Sequence, residues 1–233
     1  MKKTLLLLSI AVLSLASFAS ADTFALLGSR AAQAPTDVFD WGQLGPEFTF
    51  NNSPSIVFSA AGTNVALVGN NDGSQFISVT SGSGWNGNFD YGENLIWTGN
   101  SNFGFGGLGP FAMIFASPVA SIGFGIQSDF YGQFTAAVDV YDSNLNYMGT
   151  GFWNGNSFFS LAGDNLFVGF VDKTAPNIGA IVISTYSGGS PADNDFAIDA
   201  VSIGYTTPEP SSFILLSSGL LGMAGVVRRK LNR

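Results

Sequence analysis

Short runs in which apolar and polar residues alternate cover most of the chain between residues 22 and 207. In residues 133–142, Phe134, Ala136 and Val138 share one face of a predicted strand, and Asp139 belongs to the other. Turn-forming Gly, Asn, Asp, Ser and Pro separate the runs. Similar runs are SIVFSA, TNVALVG, QFISVT, NLIWTG, PFAMIF, VASIGFGIQ, LFVGFV, IGAIVIST and FAIDAVSIG. The pattern predicts about ten to twelve antiparallel strands.

These strands predict an all-β fold, an antiparallel β-sandwich of jelly-roll-like type, over residues 22–205. No segment of this body has the period of a long amphipathic helix. YDSNLNYMGTGFW predicts a hairpin with Ser143 and Asn144 at its tip. The 22 phenylalanines of the chain are expected to fill the space between the two sheets.

The glycine-rich stretch from residue 82 to 109 is the loosest part of the body. It contains Trp85, Phe89, Tyr91 and Trp97, and a flexible linker would not need so many aromatic side chains. We expect a structured long loop or a pair of short edge strands.

The first 21 residues have the three parts of a signal peptide. Lys2 and Lys3 precede an apolar run from residue 5 to 15, and small residues follow at Ala19 and Ala21. Signal peptidase is therefore expected to cleave after Ala21, and the leader is left out of the fold.

The C-terminus carries a second apolar segment, over about residues 211–227. It is slightly short for a membrane-spanning helix, which needs about twenty apolar residues. The basic cluster Arg228, Arg229 and Lys230 opens the tail 228–233. Since positive residues flank the cytoplasmic side of spanning helices, we expect a transmembrane helix with the body outside the cytoplasm.

The order of these C-terminal features resembles the PEP-CTERM sorting signal of Gram-negative bacteria. Pro208, Glu209 and Pro210 form the motif, and the apolar segment and the basic cluster complete a signal over residues 206–233. The resemblance implies processing by an exosortase, export, and a link to exopolysaccharide and biofilm. Four body segments are similar to the extracellular β-sandwich region often found before such a tail: FDWGQLGPEFT, GENLIWTGN, PVASIGFGIQSDFYGQFTAAVDVYD and NDFAIDAVSIG.

Charge excludes some functions of the body. Residues 22–207 hold two cations, Arg30 and Lys173, and fifteen acids, so their formal net charge is two minus fifteen, or −13. Such a body does not bind nucleic acid or an anionic lipid surface by charge. The chain has no cysteine and no histidine, which excludes disulfides and histidine-based nucleophilic catalysis. Carboxylate chemistry remains available.

Three kinds of site stay open. Trp85, Tyr91 and Trp97 are candidates for stacking on sugar rings, although a tryptophan of a sandwich is more often in the core. Asp193, Asp195 and Asp199 are candidate ligands of a structural calcium ion, and such a calcium is common in jelly rolls that this body resembles. Asp90 and Glu93 are the carboxylates that a glycoside hydrolase would use, with Glu47 and Asp129 as further acids.

We therefore predict an exported, exosortase-processed protein of the cell surface or extracellular matrix. Its expected role is structural or adhesive and not enzymatic, with no cofactor other than the candidate calcium. A carbohydrate-binding module is the first alternative and a carboxylate-based glycoside hydrolase the second. The expected partners are signal peptidase, exosortase, the inner membrane before processing, and extracellular polysaccharide.

Overall fold

The computed structural model describes residues 24–69, 75–99, 109–187 and 194–205. Within these ranges the chain forms short strands, a four-residue helix α1 (Arg30–Gln33) and a 3-10 helix (Trp41–Leu44). The first eight strands are β1 (Phe24–Leu26), β2 (Asp37–Phe39), β3 (Thr49–Asn52), β4 (Ser55–Phe58), β5 (Asn64–Gly69), β6 (Gln75–Thr80), β7 (Asn94–Trp97) and β8 (Phe111–Val119). The others are β9 (Ser121–Ser128), β10 (Gly132–Asp142), β11 (Tyr147–Ser157), β12 (Leu166–Asp172), β13 (Ile178–Tyr186), β14 (Phe196–Ile198) and β15 (Val201–Gly204).

The strands form two sheets. The nine-stranded sheet runs β1-β12-β9-β14-β7-β6-β3, and β15 joins it by pairing with both β9 and β2. The six-stranded sheet runs β11-β10-β13-β8-β5-β4. Every strand pair is antiparallel. The predicted all-β, antiparallel architecture is confirmed.

The predicted runs correspond to strands, with two differences. The run FAIDAVSIG is two strands, β14 and β15, which pair with different parts of β9. The strands β1, β2 and β3 were not predicted. β1 and β2 have only three residues each, and β3 has one apolar residue among four, which is too little for alternation to stand out from the surrounding sequence. The predicted hairpin is confirmed, since β10 and β11 pair along their length around a turn at residues 142–146.

The main core lies between the two sheets. Alternate residues of each strand turn towards the facing sheet, as the period of two requires. On β9 these are Ile122, Phe124 and Ile126, and on β10 they include Phe134 and Val138, all of them buried. This packing buries most of the apolar side chains of the described strands and is a main source of their stability.

Strand β9 is buried on both faces along its whole length. On the face away from the main core it carries Ser121, Gly123, Gly125 and Gln127, and the two glycines leave room for other segments. A Cβ atom on Gly123 would lie 2.4 Å from Oε1 of Gln33, and one on Gly125 would lie 1.9 Å from Nδ2 of Asn165. Helix α1 and the loop before β12 therefore cover this side of the strand.

A second, smaller core lies on the outer side of the nine-stranded sheet. Trp85 and Phe89 come from the loop after β6 and pack against Leu95 and Ala197 of β7 and β14. The expectation of a structured loop is thus confirmed for the described residues 82–93. The side chain of Gln127 fixes this loop from β9.

Gln127 makes several hydrogen bonds although it is only 1% exposed. Its Oε1 accepts from Nε1 of Trp85 at 3.0 Å and from the backbone N–H of Asn88 at 2.8 Å. Its Nε2 donates to Oδ1 of Asn88, to Oγ of Ser157 at 2.8 Å and to the carbonyl of Phe158 at 3.1 Å. One side chain thereby joins β9, the loop and the end of β11.

The expectation that phenylalanine fills the core is correct only in part. The buried phenylalanines of the main core are Phe39, Phe76, Phe111, Phe115, Phe124, Phe134, Phe170 and Phe196. Several others are exposed: Phe48, Phe50, Phe58, Phe152, Phe158 and Phe159. Phe58 and Phe152 lie on the outer face of the six-stranded sheet, where alternation turns them away from the core.

No helix in the described ranges is long and apolar enough to cross a membrane. The predicted transmembrane helix, about residues 211–227, lies outside those ranges, as does the predicted signal peptide.

We predict that Gln127→Met destabilises the protein by about 2–4 kcal/mol. The methionine would fill the space, but it would leave the buried Trp85 indole N–H and the Asn88 groups without their partner. Urea unfolding followed by tryptophan fluorescence measures the change. The matched control is Gln133→Met, which removes an exposed amide that has no side-chain hydrogen bond among the described residues. Equal stability of the two variants would contradict the role given to Gln127.

Candidate functional site

Several of the predicted site residues lie outside the described ranges. These are Ala19, Ala21, Asp193, Pro208, Glu209, Pro210, Arg228, Arg229 and Lys230. The candidates that the structure describes are Trp85 and Tyr91 of the loop after β6, Trp97 at the end of β7, the aspartates around β14, and the acids Asp90 and Glu93.

The structure separates the three aromatic candidates for sugar stacking. Trp85 is 3% exposed and its indole N–H is bonded to Gln127, so its ring belongs to the second core. Trp97 is half-buried and packs edge-on against Trp85, with ring centroids 6.0 Å apart. Tyr91 is 75% exposed and lies over Gly82. Of the three, only Tyr91 and Trp97 present ring surface to solvent.

The aspartates proposed for calcium are also separated. Asp195 and Asp199 flank the three-residue strand β14, so about 13 Å of extended chain divides them. Asp195 accepts from Nε1 of Trp97 at 2.7 Å, whereas Asp199 binds Arg30. Because calcium ligands lie within about 2.6 Å of the ion, one ion cannot bind both carboxylates. Within the described ranges, no three acidic side chains come close enough to hold a metal.

Asp199 and Arg30 form an ion pair at the outer side of β9. Nη2 of Arg30 lies 3.1 Å from Oδ1 and 2.9 Å from Oδ2 of Asp199, and Nη1 donates to the carbonyl of Ala200 and to Oγ of Ser202. The backbone N–H of Gly125 donates to Oδ1 of Asp199 at 2.6 Å. Burial raises the pKa of Asp199, and the Arg30 guanidinium opposes the rise.

This ion pair lines a pocket of about 450 Å³ that Asp90 and Glu93 also line. The backbone N–H of Asp90 donates to Oε2 of Glu93 at 3.1 Å. Burial raises the pKa of Glu93 above its ordinary value, and the nearby Asp199 carboxylate raises it further. The structure therefore brings together the two acids that the sequence suggested for a hydrolase. It adds Asp199 and a guanidinium beside them, and we call this the acidic pocket.

A second pocket, of about 350 Å³, lies beside Trp97. Trp85, Trp97, Asp129 and Tyr131 line it, and Asp195 lies just behind Trp97. Asp129 and Asp195 are neighbours, since the backbone N–H of Asp129 donates to the carbonyl of Asp195. Burial raises the pKa of Asp195 to about 6; the Trp97 hydrogen bond opposes this rise and the Asp129 carboxylate adds to it. Burial also raises the pKa of Asp129.

The sequence does not predict two features of these pockets. Arg30 is one of the two cations of the body, and only the structure shows it to be the partner of Asp199, which lies 169 residues away in the chain. Asp129 is one of many acids in the sequence, and only the structure places it opposite Asp195. The pairing of β9 with β14 decides that contact, and alternation within one strand cannot reveal it.

Comparison with protein families bears on the C-terminus. Residues 206–230 match the family described as the PEP-CTERM protein-sorting motif. The chain carries a PEP-CTERM sorting motif. The motif implies an exported protein that is held at a membrane and then processed by an exosortase. A search of curated proteins found no match to this chain.

We predict that Asp195→Asn changes how stability depends on pH. Because the pKa of Asp195 is about 6 in the folded protein and near 4 when unfolded, the native state binds the proton more tightly. This group therefore stabilises the native protein below about pH 4, and that contribution is lost as pH rises through 6. Asparagine does not titrate and can still accept from Trp97. The stability of the variant relative to the wild type should increase by up to about 3 kcal/mol between pH 4 and pH 7.

Urea unfolding at half-unit pH steps measures this difference. Asp164→Asn is the control, because Asp164 is exposed and replacing it should leave the pH profile close to that of the wild type. A difference between Asp195→Asn and the wild type that stays constant over this pH range would contradict the prediction.

Proposed function

We propose that this PEP-CTERM protein is a structural or adhesive component of the cell surface or the extracellular matrix, and that it is not an enzyme. The observation that carries the proposal is the sorting motif at residues 206–230, placed after an acidic β-sandwich body. A formal charge of −13 on residues 22–207 favours solubility outside the cell and disfavours nucleic acid and anionic lipid as partners.

Export follows the order of the segments. Signal peptidase removes residues 1–21 after Ala21, and residues 22–205 form the mature body. The apolar segment 211–227 holds the protein in the inner membrane with the basic tail 228–233 in the cytoplasm. An exosortase then cuts at or near Pro208-Glu209-Pro210, where two prolines keep the chain extended and accessible. The released body enters the surface layer or the exopolysaccharide of a biofilm.

We also propose that the body is a jelly roll. The chain crosses from one sheet to the other between β8 and β9, β9 and β10, β11 and β12, and β12 and β13, which agrees with this topology. Jelly rolls are common in lectin domains, so the proposal is compatible with a role among polysaccharides.

The buried carboxylates Asp195 and Asp199 are already bonded to other groups of the protein, which supports a non-catalytic role. Asp199 is neutralised by Arg30 and bonded to the backbone of Gly125. Asp195 orients the Trp97 indole. Both carboxylates fix parts of the fold, so they are less free to bind a substrate.

We predict that the mature protein isolated from its host begins at Asp22 and ends at or near residues 208–210. Top-down mass spectrometry of the surface fraction measures both ends. Replacing Pro208-Glu209-Pro210 with alanines should leave the N-terminus processed, because the leader is unchanged, and should retain the uncut C-terminus in the membrane fraction. The full polypeptide with its leader, found dissolved in the cytoplasm, would contradict the proposal.

A second candidate function is carboxylate-based glycoside hydrolysis, and the acidic pocket is the observation that favours it. Glu93 has a raised pKa, as a general acid requires. If the acidic pocket is catalytic, the full chain should release reducing sugar from host exopolysaccharide. Asp90→Asn and Glu93→Gln should each abolish that release, and Asp164→Asn should not. We expect no release from any of these proteins, because the proposed role is non-catalytic.

A further inference from the structure

The two faces of the six-stranded sheet differ in what covers them. Its inner face forms the main core, while its outer face carries some of the most exposed large side chains of the protein. These include Ile56, Phe58, Tyr147, Phe152 and Tyr186. The nine-stranded sheet differs, because the second core and helix α1 pack on its outer side. Among the described residues, the outer face of the six-stranded sheet is therefore a broad sheet surface open to a partner.

One end of this outer face forms a shallow depression of about 570 Å³ on β10, β11 and β13. Its members come from directly paired positions: Gln133 lies opposite Asn156, and Thr135 lies between Asn154 and Tyr186. Phe152 lies beside it on β11, opposite Ala137. We call this surface the amide platform, formed by Gln133, Thr135, Asn154, Asn156, Phe152 and Tyr186.

The amide platform is uncharged, although the body is strongly acidic. Its polar groups are three side-chain amides, the Thr135 hydroxyl and the Tyr186 phenolic hydroxyl. The next carboxylate along β10 is Asp139, which accepts a hydrogen bond from Oγ1 of Thr150. A charged ligand would find no counter-charge on the platform, and the −13 body would repel an anionic one. The chemistry favours a neutral ligand.

The platform also offers many hydrogen-bonding groups. Thr135 donates to Oδ1 of Asn154 at 2.9 Å, which orients the Asn154 amide and leaves its N–H groups available. The side chains of Gln133 and Asn156 have no hydrogen bond to any described residue. Each amide provides donors and an acceptor, so the surface suits a ligand that is rich in hydroxyl groups.

Two aromatic rings complete the surface. Phe152 is 63% exposed and Tyr186 is 51% exposed. Phe152 lies on β11 and Tyr186 on β13, with β10 between the two strands, and their positions differ by two residues in register. About 12 Å therefore separates the two residues across the sheet. The small side chains of Ala137 on β10, the strand between them, and of Ser184 on β13 lie opposite each other, so a flat ligand could reach both rings. Ligand sites typically combine apolar and aromatic contact surface with a few polar groups, and the amide platform has both.

We propose that the amide platform binds an uncharged polysaccharide chain along the outer face of the six-stranded sheet. The sugar hydroxyls bind the amides of Gln133, Asn154 and Asn156, and the C–H faces of the rings pack on Phe152 and Tyr186. The distance between the two aromatic rings requires a ligand of several sugar units. This inference rests on the proposed extracellular location, because the polymer would be met outside the cell. It assigns the contact to residues other than Trp85, Tyr91 and Trp97.

Affinity electrophoresis in native gels tests the proposal. The full chain, purified in a sugar-free polyoxyethylene detergent, is run through gels that contain dextran, laminarin, galactomannan, xyloglucan or amylopectin, and through one that contains alginate. We expect retardation by at least one neutral polymer and none by alginate, which is anionic. A long oligosaccharide of the retarding polymer should compete, and its monosaccharide should not.

The double variant Phe152→Ala/Tyr186→Ala should weaken binding to that polymer by about tenfold or more. The matched control is Phe58→Ala/Tyr147→Ala, which removes two exposed rings of the same sheet outside the platform and should bind as the wild type does. Thermal melting of both variants checks that the fold is unchanged, as expected for exposed side chains.

Three outcomes would overturn the inference. They are no retardation by any of the neutral polymers, retardation that the Phe152 and Tyr186 substitutions do not change, and equal loss in the control variant. None of them bears on export, because the termini of the mature protein are measured separately. A correctly processed protein that binds no polymer would reject the platform alone, and an unprocessed cytoplasmic protein would reject the proposed function.

Discussion

The burial of β9 on both faces is the constraint on which the rest of the structure depends. Ile122, Phe124 and Ile126 fill the space between the sheets, and Gly123 and Gly125 admit other segments on the opposite face. A larger residue at either glycine would clash with Gln33 or Asn165. The strand therefore holds three layers together: the six-stranded sheet, the nine-stranded sheet, and the segments that cover its outer side.

This layering decides where a partner can bind. The outer side of the nine-stranded sheet is occupied by the second core and by the Arg30–Asp199 pair, so the buried carboxylates Asp195 and Asp199 hold parts of the fold in place. Among the described residues nothing comparable covers the six-stranded sheet, and its outer face carries exposed rings and amides. The body thus combines a strongly negative charge with a neutral, aromatic surface, and this combination fits the proposed binding of a neutral polymer.

The body has no disulfide bonds, and hydrogen bonds of buried polar side chains hold its loop after β6 in place. Without cysteine, the glycine-rich loop after β6 is fixed by Gln127, whose amide contacts Trp85 and Asn88. Asn88 in turn accepts from the backbone N–H of Phe158 at 2.9 Å. Such a network is stable only if its members are all satisfied, which makes the loop sensitive to the loss of a single amide.

The sequence by itself determined the class of fold and the presence of a C-terminal sorting motif. Alternation located the strands from β4 to β13, because a strand that faces one core repeats every two residues. The sorting motif could be read directly, since its parts are contiguous in the chain. The amides and rings of the platform gave no such signal, because they stand at ordinary strand positions.

Only the tertiary structure decided which side chains meet. Arg30 and Asp199 are 169 residues apart, and Thr135 lies between Asn154 and Tyr186 only because β10 pairs with both β11 and β13. The aromatic residues of the loop after β6 looked equivalent in the sequence. Burial of Trp85 and exposure of Tyr91 followed from how that loop folds onto the sheet. Such contacts depend on strand order and register, which the local pattern of a single strand does not encode.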